Sequence, residues 1–301
     1  MLNLLIFISL CWIWGSTWLA IKIGLDGVPP FWGAGLRFLI ASAFLSIITA
    51  IAGKWKIPLR QNWRMILIVG LFMYPVPYGL VYWGSQYVES GMAAVLFAIM
   101  PIFVAILAHL FIQGERLTFA KIVGMLLGFS GIIVIFADNL GAKGSLGILG
   151  MICVAFSPFF SSLATILAKK HFREINPLPL TAIHTIFGGI GLLAVSVFTE
   201  SRSNIIYDSK TVGSIFYLGI IGTAIAFSLY FYLLKTMEAT KISMIAFITP
   251  LVALFLGIVF RSEVLDPLSI LGSLMVVIGV FIVVMGDNIL RARLSQKNRL
   301  T

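Results

Sequence analysis

Two ionisable side chains stand where an apolar chain least tolerates them. Arg37 and His184 each lie seven residues beyond a proline, Pro30 and Pro177, that opens a long apolar run. A charge at mid-membrane costs at least about 2.5–3.5 kcal/mol, so such groups face a cavity or a partner. Arg37 lies roughly 10 Å along its helix at ~1.5 Å per residue. Its guanidinium could anchor a carboxylate or another anionic group. It could equally bond backbone carbonyls or snorkel to the outer surface. His184 could bind a solute, carry a proton, or pack as a neutral imidazole. His109, near the inner end of its run, carries less weight.

A second group combines rings with hydroxyls. Trp14, Ser16 and Thr17 share one run. An indole beside hydroxyls can stack and hydrogen-bond with an amphipathic solute. The same residues can serve helix packing, with the hydroxyls bonded to their own backbone. Trp12 and Trp18 are expected to face elsewhere. Tyr74, Tyr78 and Tyr82 recur every fourth residue and form one stripe. Pro75 and Pro77 interrupt that run and expose carbonyls, as at a gate or cavity wall. Packing is the other reading of the stripe. Pro101, Pro158 and Pro250 are candidate bends.

The elements that position these residues follow from composition. Sixty per cent of the 301 residues are hydrophobic and 11% charged, against roughly 45–50% and 25% in soluble domains. Mean hydropathy is +1.08. A water-soluble enzyme and a disordered chain are both excluded. The two cysteines, Cys11 and Cys153, lie in apolar runs and imply no disulfide framework. Ten helical spans are expected near 3–23, 31–52, 64–84, 90–112, 118–137, 145–168, 178–199, 211–234, 242–260 and 267–286. The first is read as a retained helix rather than a signal peptide.

Charge orients the spans. With the N-terminus inside, fifteen of the 21 Lys and Arg fall on the inner side: Lys54, Lys56, Arg60, Arg64, Arg116, Lys121, Lys169, Lys170, Arg173, Lys235, Lys241, Arg291, Arg293, Lys297 and Arg299. Lys22, Arg37, Lys143, Arg202, Lys210 and Arg261 fall in the outer half. Both termini are therefore expected in the cytoplasm. The net charge of +10 then reflects topology and not a nucleic-acid partner. The basic tail is expected to lie on anionic headgroups or in solvent.

The chain also repeats itself. Lys22, Pro30 and Arg37 meet Lys169, Pro177 and His184 at an offset of 147. Gly70, Glu89 and Pro101 meet Gly219, Glu238 and Pro250 at 149, and Asp138-Asn139 meets Asp287-Asn288. Gly124 and Gly131 meet Gly272 and Gly279 at 148. Five spans per half is an odd number, so the second half enters from the opposite side. The expected fold is all-α and integral to the membrane: ten transmembrane helices as two inverted five-helix repeats, residues 1–139 and 140–288, with a basic tail at 289–301. Such repeats serve alternating access in secondary transporters. Gly124, Gly128 and Gly131 form a small-residue face suited to close packing within the chain.

With Trp12-Ile13-Trp14-Gly15-Ser16-Thr17 followed by Lys22, then Pro30 with Arg37-Phe38, the sequence resembles the ten-helix EamA family of the drug/metabolite transporter superfamily. Pro101…Gly114-Glu115-Arg116-Leu117…Gly124…Gly131 and its echo Pro250…Ser262-Glu263-Val264-Leu265…Gly272…Gly279 are similar to that family's fourth and fifth helices in each half. One departure is that Ser161-Ser162 stands where Trp14-Gly15 would align. The resemblance implies transport, more often export, of amino-acid-like metabolites, nucleobases or amphiphilic toxic compounds.

The expected function is a secondary transporter, an exporter of small amphipathic metabolites such as amino acids, in the cell membrane. Trp14, Ser16, Thr17, Arg37, Tyr78, Tyr82 and His184 are its expected substrate-binding residues. It is expected to work with membrane lipids, without nucleic acid, cofactor or metal, as a monomer or weak homodimer. No P-loop and no His-Glu-x-x-His motif occurs. Every Asp and Glu sits at a helix end or in a loop, which points to a facilitator or exchanger rather than proton coupling. The alternatives are a membrane-embedded enzyme acting on a lipid or peptide, with Ser16 and His184 as nucleophile and base, and a sensor.

Overall fold

The computed structural model describes residues 1–55, 59–88, 90–135, 144–201, 203–261 and 267–297. Lys56, Glu89, Asp138-Asn139, Lys143, Arg202, Glu263 and the boundary at 139/140 lie outside them. Among the described residues the chain is helical and contains no strand. This follows from the sequence: runs this apolar meet no water in a bilayer, so each must satisfy its backbone groups internally.

The helices in order are α1 (Leu2–Leu25), α2 (Pro30–Ile51), α3 (Leu59–Met73), α4 (Pro75–Gly84), α5 (Ser90–Phe97), α6 (Met100–Phe111) and α7 (Phe119–Ile135). The second half holds α8 (Gly144–His171), α9 (Pro177–Thr199), α10 (Ser209–Gly219), a π-helical segment (Ile220–Ile225), α11 (Ala226–Thr236), α12 (Ala239–Ser243), α13 (Ile245–Arg261) and α14 (Pro267–Lys297). Among the described residues seven stretches are long and apolar enough to cross a membrane: Leu2–Leu25, Pro30–Ile51, Asn62–Gly84, Met92–Phe111, Gly144–His171, Pro177–Thr199 and Ser209–Thr236. Three shorter apolar helices, Phe119–Val134, Ala239–Ala253 and Ile270–Met285, accompany them.

Four of the expected spans are not continuous α-helices. Tyr74 separates α3 from α4, where Pro75 lacks the N–H that would continue the ladder. Ala98 and Ile99 separate α5 from α6, just before Pro101. Met244 separates α12 from α13. The segment Ile220–Ile225 widens from α to π without any proline. Pro158 and Pro250 lie inside α8 and α13, whose helices continue across them. Interrupted backbone inside a membrane is tolerated where it is covered by protein or lines a cavity.

The repeat is visible in the packing. On α7, a Cβ added at Gly124 would lie 2.7 Å from the Gly279 carbonyl oxygen, and one at Gly131 would lie 2.6 Å from that of Gly272. The offset of 148 maps Gly124 onto Gly272 and Gly131 onto Gly279. The α7–α14 seam therefore exchanges with itself, as a two-fold relation between the halves requires, and it lies within the chain. In the same way α2 crosses α9, where Ser42 Oγ donates to the Ala182 carbonyl at 2.9 Å. Helices of one half thus pack mainly on helices of the other: α1 on α10 and α13, and α8 on α3, α4 and α6.

Helix ends are capped across the same boundary. Glu200, after α9, accepts the Phe31 and Trp32 amides of α2 at 2.7 and 3.0 Å. Glu115 accepts the Ala239 amide of α12 through both carboxylate oxygens at 3.1 and 2.9 Å. Gly114, with φ +87°, supplies the left-handed turn that delivers Glu115 there. A carboxylate at a helix N-terminus satisfies free N–H groups and complements the helix dipole.

Candidate functional site

All four interrupted spans converge on one central cavity. It measures about 90 Å³, less than the roughly 300–1,000 Å³ of pockets that hold drug-sized ligands. Trp14, Thr17, Trp18 and Ile21 of α1 form one wall and Arg37 of α2 another. Met73, Pro77, Tyr78 and Val81 come from the α3–α4 break, and Phe97 and Met100 from the α5–α6 break. Ser161, Phe227, Tyr230 and the stretch around the α12–α13 break (Ile242, Ser243, Ile245, Ala246, Thr249) complete it from the second half. Among the described residues Arg37 is the one charged member of the lining, and no Asp or Glu belongs to it.

Arg37 does not snorkel; it is 1% exposed. Its Nε donates to Thr223 Oγ1 at 2.7 Å and its Nη2 to the Gly222 carbonyl at 3.1 Å. A longer contact of 3.4 Å joins Nη1 to the Tyr82 hydroxyl. Its guanidinium stacks on the Tyr78 ring at 4.9 Å and lies 5.6 Å from that of Phe38. The π-helical segment explains two of these partners. Its wider turn presents the Gly222 carbonyl to side-chain donors, and Trp14 Nε1 reaches the same oxygen at 3.2 Å. Segments of this kind recur at functional sites.

The cavity brings together Trp14, Thr17, Arg37 and Tyr78, with Tyr82 behind Arg37. Trp14 also meets Phe227 and Tyr230, each at 5.3 Å between ring centroids. Thr17 Oγ1 is bonded to its own helix, at the Trp14 carbonyl.

Ser16 and His184 lie elsewhere. Ser16 bonds the Ile13 carbonyl and, at 2.5 Å, the Tyr217 hydroxyl, and it lines a separate groove between the ends of α1 and α10. His184 is fully buried among the rings of Tyr74, Phe172 and Phe231, and neither ring nitrogen has a hydrogen-bond partner among the described residues.

Sequence reasoning missed Trp18, which lines the cavity and meets Phe97 edge-on at 5.6 Å. Its signal was present: four residues beyond Trp14 is the same helix face. Trp12, two residues away, is 47% exposed and faces outward.

At the end of the bundle where α1 begins, ion pairs join the halves. Lys169 of α8 pairs with Glu115 at 3.0 Å and also donates to the Met237 carbonyl. Glu238 pairs with Lys121 of α7 at 2.8 Å and with Lys241 of α12 at 3.1 Å. Burial pushes the Glu238 carboxyl up, but Lys121 and Lys241 outweigh it and hold it below the usual carboxylate range. At the opposite end Lys22 donates to the Ser85 carbonyl at 3.2 Å.

Comparison with known proteins places this architecture. The model of the EamA-like transporter family matches residues 1–137 and again 148–285. An uncharacterized transporter of Bacillus subtilis, YoaV, is 30% identical, with 91% of this chain and 94% of that one aligned. An uncharacterized transporter of Archaeoglobus fulgidus is 31% identical over 90% and 94% of the two chains. The protein PagO of Salmonella typhimurium is 25% identical over 95% and 93%. A crystal structure superposes with a TM-score of 0.82 at 18% identity, covering 96% of this chain and 98% of that one, which supports the fold. A two-fold family match over nearly the whole chain, on a bundle of apolar helices that pack across two repeats, establishes that the chain belongs to the EamA-like transporter family.

Proposed function

We propose that this membrane transporter is a secondary carrier that exports small amphipathic metabolites, amino acids or related solutes, by alternating access of its two repeats. The observation that carries the reading is the convergence of the four interrupted spans, two from each half, on a cavity lined by Trp14, Thr17, Arg37 and Tyr78. Inverted-repeat carriers hold their solute at such breaks, between the repeats. The cavity's small size fits a nearly closed state. The ion pairs of Glu115, Lys121, Lys169 and Glu238 join the halves at one end and suit a gate that must break for that end to open.

Under this reading the repeats are residues 1–139 and 140–288, followed by the basic tail at 289–301. Both termini face the cytoplasm of a cell membrane, and the protein works as a monomer or weak homodimer. Trp14 and Tyr78 contact the solute, and Tyr82 positions Arg37. Ser16 and His184 share no hydrogen bond, so no observation favours the enzyme reading.

The test is solute counterflow in proteoliposomes with a panel of labelled amino acids, nucleobases and organic acids. Saturable exchange, lost in Arg37→Gln and Trp14→Ala proteins that still insert, is expected. Wild-type exchange in both would remove these residues from the path. Labelling of single cysteines in intact cells checks topology: a cysteine at Lys210 is expected to react from outside and one at Lys54 is not.

A further inference from the structure

Resting on the carrier reading but narrowing its solute class away from amino-acid zwitterions, we infer that the solute is an apolar organic monoanion, held by its carboxylate on Arg37 with its body among the rings, rather than a zwitterion or a cation. The argument is one of charge. A guanidinium keeps its proton in any protein setting and offers five N–H donors. Those of Arg37 meet neutral acceptors: the Thr223 hydroxyl, the Gly222 carbonyl and the hydroxyls of Tyr82 and Tyr78. The Tyr78 and Phe38 rings add attraction but no countercharge. A buried charge without a counter-ion is costly, and removing its water makes the cost larger.

The guanidinium is nevertheless held firmly, by partners from α4 and the π-helical segment, on the wall of a cavity with no carboxylate in its lining among the described residues. A planar guanidinium on the cavity wall matches the two oxygens of a carboxylate. An incoming anion supplies the missing charge. An ammonium group would find no acidic partner there and would be repelled by Arg37. Trp14, Trp18, Phe97, Phe227 and Tyr230 give the wall a largely aromatic face, which suits an apolar body and not a second charge.

The test compares four probes of one shape on purified wild-type protein: phenylacetate, its neutral amide phenylacetamide, phenethylamine and phenylalanine. Thermal stability is read at rising probe concentration, since a ligand of the folded form raises it by mass action. Phenylacetate is expected to give a saturable shift, with at least about tenfold tighter apparent binding than the amide, as one charge-assisted hydrogen bond is worth. Phenethylamine and phenylalanine are expected to give little. Sodium chloride is the inorganic arm and is expected to leave the phenylacetate shift in place. Arg37→Gln is expected to bind acid and amide alike, and Arg37→Lys to keep part of the preference. The wild-type comparison stands even if a variant fails to fold.

Equal or tighter binding of phenethylamine, phenylalanine or the amide overturns the inference. So does a phenylacetate preference that survives in Arg37→Gln, a chloride shift that replaces that of phenylacetate, or no saturable shift with phenylacetate. Counterflow of the same probes separates the two readings. Exchange of the amine or amino acid but not the acid leaves a carrier of another solute. Selective acid binding without exchange of any probe leaves the anion site and counts against transport.

Discussion

The two halves place an ionisable group at the same point of their second span and give it opposite surroundings. Arg37 of α2 leans on the π-helical segment of the second half, meets a carbonyl and two hydroxyls, and lines the cavity. His184 of α9 leans on the matching stretch of the first half, where a Cβ added to Gly70 would lie 3.2 Å from its ring, and meets only rings and backbone. The partner segments explain the difference. Tyr74-Pro75 breaks the third span of the first half and fills the space with a ring. The Gly222-Thr223 π turn breaks its counterpart with a small, polar surface. On the first span the larger side chain again belongs to the first half, with Trp14 matched by Ser161 in the same cavity lining. The duplication supplied a symmetric frame, and a few side chains gave its two sides different chemistry.

The strongest way to break this comparison is to exchange its two ionisable groups for neutral ones. Arg37→Gln is expected to lower exchange by about 10–100-fold, the worth of one or two charge-assisted hydrogen bonds. His184→Gln is expected to stay within about twofold and to leave the pH profile of exchange unchanged, since the rings of Tyr74, Phe172 and Phe231 enclose it. Equal losses in both would mean that the halves are functionally alike.

The symmetric frame itself is tested at the glycine seam. A Cβ at Gly279 would lie 2.5 Å from the Gly124 oxygen, so Gly279→Val is expected to cost about 1–3 kcal/mol by overpacking. A thermal melt should show a loss of several degrees. No loss would mean that α7 and α14 pack differently.

Thr223→Val removes the hydroxyl that receives Arg37 Nε while leaving the residue's shape. It is expected to weaken solute binding by about 0.5–1.5 kcal/mol, a neutral-acceptor bond's worth, and to sharpen the assignment of Arg37. Unchanged binding would show that the remaining partners hold Arg37 alone.

The smallest effect is expected at the ion pairs. Glu238 has a carboxyl pKa depressed by Lys121 and Lys241, with Glu115 and Lys169 close by. Such a group stabilises the folded form above the unfolded carboxylate value, about 4.3, and the gain is lost as pH falls through the folded value. Melting temperature is expected to be flat down to about pH 5 and to fall below it. Glu238→Gln should remove part of that fall, and an unchanged acid profile would place the loss elsewhere.

Much of this molecule was legible in its sequence. Apolar runs of this length, with rare charges in matching order, determine helices in a membrane and a duplicated frame, because neither feature depends on how the helices meet. Arg37 and the Trp14–Thr17 stretch announced themselves as polar or aromatic groups in a costly place. The sequence also separated glycine faces from ordinary apolar ones. Tertiary structure alone decided which ionisable group reaches the cavity, that Ser16 turns to a different groove, and that Trp18 joins Trp14. It also decided that the second half breaks its third span without a proline. Each of these depends on the helix lying opposite. A side chain's cost inside hydrocarbon is set by its own chemistry, but its role is set by what it faces.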